Sequence, residues 1–102
     1  MSLEKKYLKS RPVSKVTFRL PRAAAPKAES VHLVGDFNEW RTDATPMAKL
    51  KSGDFKISLD LEPGREYCFR YLIGANTWEN DWEADKYVPS GVAGEDNSVV
   101  VV

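Results

Sequence analysis

Three tryptophans set among polar neighbours are the residues best suited to chemistry in this 102-residue chain. Trp40, Trp78 and Trp82 all fall in stretches typical of loops or strand ends, surrounded by acidic, amide and basic side chains. An exposed large apolar side chain is informative, because most such side chains are buried. Flat indole faces suit the apolar faces of sugar rings, while nearby polar groups can hold the hydroxyls. Any one tryptophan could equally cap the core, but three together favour a binding platform.

Four carboxylates alternate along the chain between Trp78 and Tyr87, at Glu79, Asp81, Glu83 and Asp85. Glycoside hydrolysis needs two carboxyl groups about 5 to 9 Å apart, and the catalytic acid must have its pKa raised by burial. The alternate spacing predicts that these four side chains lie on one exposed side of an extended segment. They also lack the regular loop spacing of calcium motifs. We therefore expect no enzyme activity and assign no catalytic residue.

Metal and cofactor chemistry has little support in the sequence. His32 is the only histidine and sits inside an apparent strand, so it is interpreted as a satisfied strand histidine. There is no cysteine pair for zinc, no GxSxG turn for a nucleophile and no glycine-rich phosphate loop. The sequence predicts neither a metal nor a cofactor.

The charge distribution and the single cysteine limit the cellular location and the classes of partner that the sequence predicts. Residues 1–30 carry a net charge of +6, but Val16, Phe18 and Leu20 interleave with the charges as a strand requires. This segment is therefore interpreted as a solvated strand and not as a nucleic-acid-binding segment. Cys68 can form no internal disulfide, which mildly favours a reducing compartment. With no signal-like or membrane-spanning stretch, the sequence predicts a cytoplasmic protein with no membrane partner.

The elements that must position these residues are predicted to be strands. Apolar residues alternate with polar ones over residues 55–61, which is the two-residue period of a half-buried strand. Four further runs repeat or approach this pattern, and the stretches near Met47 and Tyr87 could add one or two strands. Short strands separated by Gly, Pro, Asn and Asp indicate an antiparallel sandwich. We expect residues 1–11 to be an arm or a strand lead-in, and residues 12–102 to be one domain.

The run from Val31 to Trp40, VHLVGDFNEW, resembles the signature of carbohydrate-binding module family 48. Two further blocks, within residues 59–71 and 78–99, are similar to the family's later strands and its ending, so the resemblance spans about residues 12–102. The family includes the early-set domains of isoamylases and glycogen branching enzymes, and the glycogen-binding domain of AMP-activated protein kinase. The resemblance implies an all-β, immunoglobulin-like sandwich of about seven antiparallel strands that binds α-1,4-linked glucan.

The same resemblance assigns roles to particular residues. It implies that Trp40 and Trp78 are stacking platforms, and that Arg70 and Asn97 form hydrogen bonds with sugar hydroxyls. Alternation along the strand independently points Arg70 outward. Trp82 is a further candidate platform.

Departures from the family pattern leave alternatives open. Ala93 and Glu95 replace a bulky Leu and a Thr of the kinase domain, and each should weaken glucan binding. The turn at residues 74–77 is one residue longer than the corresponding turn of the kinase domain. This extra residue could point Trp78 inward and leave its role to Trp82.

Three functions follow from these observations. The leading hypothesis is non-catalytic binding of glycogen or starch-like chains. The alternative is a structural early-set module that packs on a catalytic protein partner of the glycoside hydrolase family 13 type, such as an isoamylase or a branching enzyme, with little sugar affinity. A third hypothesis uses residues 98–102 as an exposed strand edge for pairing with another chain, including a homodimer.

Overall fold

Two antiparallel β-sheets stack face to face in the computed structural model, which describes residues 3–91 and 95–102. The predicted all-β sandwich is confirmed. Within the described part the only helical segments are two single 3-10 turns, Arg22–Ala24 and Asp36–Asn38. The strands are β1 (Leu3–Leu8), β2 (Val13–Leu20), β3 (Val31–Gly35), β4 (Ala48–Lys49), β5 (Phe55–Leu61), β6 (Glu66–Ile73), β7 (Thr77–Glu79), β8 (Lys86–Pro89) and β9 (Asp96–Val101).

Strand order divides these elements into two sheets that we call sheet I and sheet II. Sheet I has the order β1-β2-β5-β4, and sheet II has the order β3-β6-β9-β8 with β7 added to one side of β6. The stretches near Met47 and Tyr87 do contribute strands, β4 and β8. Residues 1–11, which were expected to be an arm or a strand lead-in, contain β1. The short β7 was not predicted.

The core lies between the inner faces of the two sheets. Phe18 of β2 meets Phe69 of β6 edge-to-face with ring centroids 5.1 Å apart, and Tyr71 lies 5.7 Å beyond Phe69. The other fully buried members of this cluster are Val16, Leu20, Val31, Leu33, Phe55 and Val100. Because alternate residues of a strand point to opposite faces, burial of this set sends the intervening residues to the two outer faces.

The C-terminal strand does not have the exposed edge that the third hypothesis required. β9 lies between β6 and β8, with Ser98 paired to Phe69 on one side and to Tyr87 on the other. The Asp85 carboxylate accepts the backbone N–H of Val101 at 2.7 Å, beyond the end of β8. The prediction of an open β9 edge is therefore wrong, because β8 folds back along it.

No helix in residues 3–91 and 95–102 has the length and apolar character needed to cross a membrane.

Candidate functional site

The outer face of sheet II carries the candidate site. Phe69 and Tyr71 of β6 are fully buried in the core, so Cys68, Arg70 and Leu72 point to the opposite face. This orientation of Arg70 agrees with the alternation of the sequence.

Trp78 lies on this same outer face. Its register partner on β6 is Leu72, and directly paired residues of two antiparallel strands share a face. The turn between β6 and β7 begins at Gly74, whose positive φ of 64° is accessible to glycine at no steric cost. The side chain of Trp78 is 43% exposed. The longer turn therefore does not send Trp78 inward.

An open cleft of about 310 Å³ lies beside Trp78. Its lining is formed by Arg70, Trp78, Glu79, Asn80, Glu95 and Asp96. One flat apolar ring among carboxylate, amide and guanidinium groups can bury one face of a ligand and hydrogen-bond to its edge. Such a cleft suits a ring that is apolar on its faces and hydroxylated around its rim.

Arg70 and Asn97 are brought together at the cleft. The Arg70 Nε–H donates to Asn97 Oδ1 at 2.8 Å, and Arg70 Nη1 lies 3.4 Å from Glu95 Oε2. The Arg70 side chain is only 13% exposed, so the guanidinium is held rather than freely mobile. Glu95 therefore engages part of the donor capacity that a ligand would use. Ala93, the other departure, lies outside the described residues.

The loop that follows β3 is built by Gly35 and Asn38. A Cβ at Gly35 would lie 2.5 Å from the Cys68 carbonyl oxygen, so only glycine permits this approach of β3 to β6. Asn38 Oδ1 accepts the Gly35 N–H at 3.1 Å, while Asn38 Nδ2 donates to the Leu33 carbonyl at 2.9 Å and to Thr45 Oγ1 at 3.0 Å. These bonds fold the chain back at the end of β3.

Phe37 and Trp40 leave this loop in different directions. Phe37 packs against the core, 5.6 Å from Phe18 between ring centroids. Trp40 is half-buried and has a positive φ of 58°, as does Glu39 before it. Two consecutive non-glycine residues in the left-handed region are uncommon, and such backbone strain clusters at functional sites.

Asp36 fixes the indole of Trp40 next to β6. Its Oδ1 accepts the Trp40 Nε1–H at 2.8 Å, and its Oδ2 accepts the backbone N–H of Cys68 at 2.7 Å. Burial, and then the negative charge of Asp36, raise the pKa of the Cys68 thiol. Trp40 is thus anchored two residues along β6 from Arg70, but it does not line the cleft beside Trp78.

Asp81 corrects the prediction that the four alternating carboxylates share an exposed side. It is 1% exposed. The Tyr71 hydroxyl donates to Asp81 Oδ2 at 2.7 Å, the Glu83 N–H donates to Oδ1 at 2.8 Å, and the Asp81 N–H donates to Ser98 Oγ at 2.8 Å. Sequence periodicity failed here because β7 ends at Glu79, so the period of two stops before Asp81.

Trp82 and Asn80 flank this buried carboxylate and differ in position. Trp82 is 54% exposed and does not line the cleft. Asn80 does line it, and its Nδ2 donates to the Asp96 carbonyl at 2.9 Å. Sequence analysis did not assign Asn80, Glu79 or Asp96 to the site. Their only signal was their position beside Trp78 and Asn97 in the sequence.

His32 also lies on the outer face, paired with Leu72 on β6. Its place in a strand is confirmed, but its Nδ1 is buried without a hydrogen-bond partner among the described residues, so it is not satisfied as expected. A triad histidine needs a carboxylate on one nitrogen, and this arrangement lends no support to such chemistry. The described residues also contain no group of three or more His, Cys, Asp or Glu placed to hold a metal ion.

Comparison with protein families identifies the chain. The family description that matches residues 5–88 is carbohydrate-binding module 48, the isoamylase N-terminal domain. The match includes β2 to β7 in full and all three tryptophans. The two-sheet sandwich is the immunoglobulin-like fold of that family. The chain therefore belongs to carbohydrate-binding module family 48.

Proposed function

We propose that this module binds α-1,4-linked glucan of the glycogen or starch type without cleaving it. The observation that carries the proposal is the cleft beside Trp78, where an exposed indole and the hydrogen-bonded pair Arg70 and Asn97 share one face of sheet II. A pyranose would stack on the Trp78 ring, and its hydroxyls would meet the polar rim.

The energetics of such a cleft fit a weak and reversible site. Stacking removes apolar surface from water at about 25 cal/mol per Å². Of the five N–H donors of Arg70, one bonds Asn97 and another faces Glu95, which leaves donors for sugar hydroxyls. One or two stacked rings with a few hydrogen bonds correspond to about 4 to 8 kcal/mol, or millimolar to micromolar affinity. Repeated weak sites along a polymer then give avidity.

Trp40 is proposed as the second platform along the same glucan chain. Its indole N–H is bonded to Asp36, which fixes the edge of the ring, and the residue is half-buried, so part of it remains exposed for stacking. Asp36 also bonds the backbone of Cys68, which ties the ring to the strand that carries Arg70. This rigid placement lowers the entropy that a mobile side chain would lose on binding.

One observation favours the alternative, a structural module that packs on a catalytic partner. The Glu95 carboxylate competes with a sugar for Arg70. If the glucan proposal holds, Glu95→Gln should raise glucan affinity severalfold, because a neutral amide binds the guanidinium less strongly. If the module is instead structural, neither the wild type nor the Glu95→Gln variant should bind glucan.

The test is calorimetric titration of the protein with maltoheptaose. We expect saturable binding, weakened at least tenfold by Trp78→Ala, which corresponds to about 1.4 kcal/mol. Trp40→Ala should also weaken it. Trp82→Ala is the matched control, since it removes an exposed indole outside the cleft and should leave affinity unchanged.

Three results would contradict the proposal. Absence of binding up to about 50 mM ligand would leave the structural module as the better explanation. Equal losses for Trp78→Ala and Trp82→Ala would show that the cleft is not the binding site. Release of shorter oligosaccharides from maltoheptaose, abolished by Glu79→Gln, would instead indicate an enzyme.

A further inference from the structure

The outer face of sheet I, on the opposite side of the sandwich from Trp78, carries a groove of about 280 Å³. It is lined by Lys5, Lys6, Lys15 and Lys56, with Glu4 as its one carboxylate among the lining residues. The chain as a whole has zero formal net charge, so this concentration of ammonium groups is local. The family's sugar chemistry gives no reason for it.

Register places like charges directly against each other in this groove. Lys6 of β1 is the cross-strand partner of Lys15 on β2, and Lys56 of β5 is the partner of Arg19 on β2. Like charges directly opposite one another on a sheet are destabilising. The arrangement costs stability unless an anion lies between the side chains.

Nearby carboxylates neutralise only part of this charge, because Glu4, the carboxylate that lines the groove, is the cross-strand partner of Thr17 rather than of a lysine. Asp60 is the other cross-strand neighbour of Lys15, yet it forms an ion pair with Arg11. Arg19 is paired with Asp54 at 2.9 Å. Lys5 forms an ion pair with Asp85 at 2.6 Å. The other three lining lysines form no ion pair within the described residues; they are Lys6, Lys15 and Lys56.

The floor of the groove offers a neutral donor between the charges. Thr17 and Ser58 are cross-strand partners, and their hydroxyl oxygens are 2.8 Å apart. Two hydroxyls that share one hydrogen bond keep one O–H free to donate. Lys6 and Lys15 lie two register pairs to one side of these hydroxyls and Lys56 lies two register pairs to the other, about 7 Å away along the strands.

We propose that this groove binds a phosphate ester that carries at least two negative charges. The ammonium groups of Lys6, Lys15 and Lys56 surround the anion, and the Thr17–Ser58 pair donates to it from below. A compact, multiply charged oxyanion matches both the charge and the spacing, because charge-assisted hydrogen bonds to phosphate are short and strong. This site is independent of the glucan cleft.

The experiment is a titration of the ¹⁵N-labelled protein with pyrophosphate and with glucose 6-phosphate, at constant ionic strength maintained with chloride. Constant ionic strength separates a site from general screening. We expect saturable shifts confined to β1, β2 and β5. Lys15→Gln should weaken binding at least fivefold, and Thr17→Val should weaken it with no change in charge. Lys27→Gln is the matched control, since Lys27 is an exposed lysine in the loop between β2 and β3.

The results of this titration distinguish a specific phosphate-binding site from a generally basic surface. Non-saturating shifts, or equal losses for Lys15→Gln and Lys27→Gln, would overturn the proposal. Tighter binding of a short oligonucleotide than of pyrophosphate would also overturn it, in favour of a nucleic-acid surface. Shifts from maltoheptaose should remain on sheet II, so a failure here leaves the glucan proposal unaffected.

Discussion

Asn38 and Asp81, which anchor the loops of Trp40 and Trp82, differ in how far along the chain their hydrogen-bond partners lie. In residues 35–40, Asn38 forms all three of its side-chain hydrogen bonds with residues no more than seven positions away. In residues 80–85, Asp81 bonds Tyr71 and Ser98, ten and seventeen positions away, and it does so in the buried interior. Asn38 closes its loop locally, although Asp36 of the same loop also bonds the backbone of Cys68, whereas Asp81 ties its loop into the core.

Because of this difference, we expect substitutions in the two loops to have different effects on stability. A local anchor near the surface can be lost while water replaces its bonds, so the cost falls mainly on loop geometry. A buried anchor leaves polar groups without partners when it is removed, so the cost falls on the whole fold. The comparison therefore predicts global destabilisation from the Asp81 loop and a local defect from the Asn38 loop.

The largest expected effect is that of Asp81→Ala. It removes the acceptors of the Tyr71 hydroxyl and the Glu83 N–H. Hydrogen bonds to charged groups contribute about 1.5 to 3 kcal/mol each, and the two losses are not additive, so we expect the free energy of unfolding to fall by about 3 kcal/mol. Urea denaturation followed by tryptophan fluorescence measures this directly.

A double-mutant cycle with Tyr71→Phe isolates the buried pair. If the two side chains act together, the double variant should be less destabilised than the sum of the single variants by about 1 kcal/mol or more. Strict additivity would contradict the interpretation that Asp81 anchors its loop through Tyr71.

The second prediction concerns Asn38→Ala and is smaller. The Gly35 N–H and the Leu33 carbonyl lose their partner, but water can reach this half-buried turn, so we expect a loss of about 1 to 2 kcal/mol in unfolding free energy. Under the proposed function, glucan affinity should fall as well, because Trp40 is positioned by the same turn. Calorimetry beside urea denaturation measures both effects. A loss equal to that of Asp81→Ala would remove the distinction between the two loops.

The sequence predicted the locally closed parts of the molecule well. Trp40 was expected in a loop or at a strand end, and the loop that carries it is closed by Asn38, a residue of the same motif. Strand alternation likewise pointed Arg70 outward, because the period of two needs no knowledge of the partner strands.

What could not be predicted depended on contacts between distant parts of the chain. Burial of Asp81 follows from Tyr71 and Ser98, which only the packing of β6 and β9 brings near it. The position of β9 inside sheet II follows from the return of β8, which no local pattern specifies. The lining of the cleft by Asn80 and Asp96 has the same origin.

The smallest expected effect is a loss of stability at high pH that Tyr71 controls. Burial, and then the Asp81 carboxylate that accepts its hydrogen bond, raise the pKa of Tyr71 well above its ordinary value of 10.0. Above pH 10 the unfolded chain releases this proton and the folded chain keeps it, so the unfolded state binds fewer protons and stability falls as pH rises. The slope is at most about 1.4 kcal/mol per pH unit for this one proton. Urea midpoints at pH 8 to 11 should therefore show the wild type losing its advantage over Tyr71→Phe above pH 10, and a constant difference across that range would show that the hydroxyl is not held in the core.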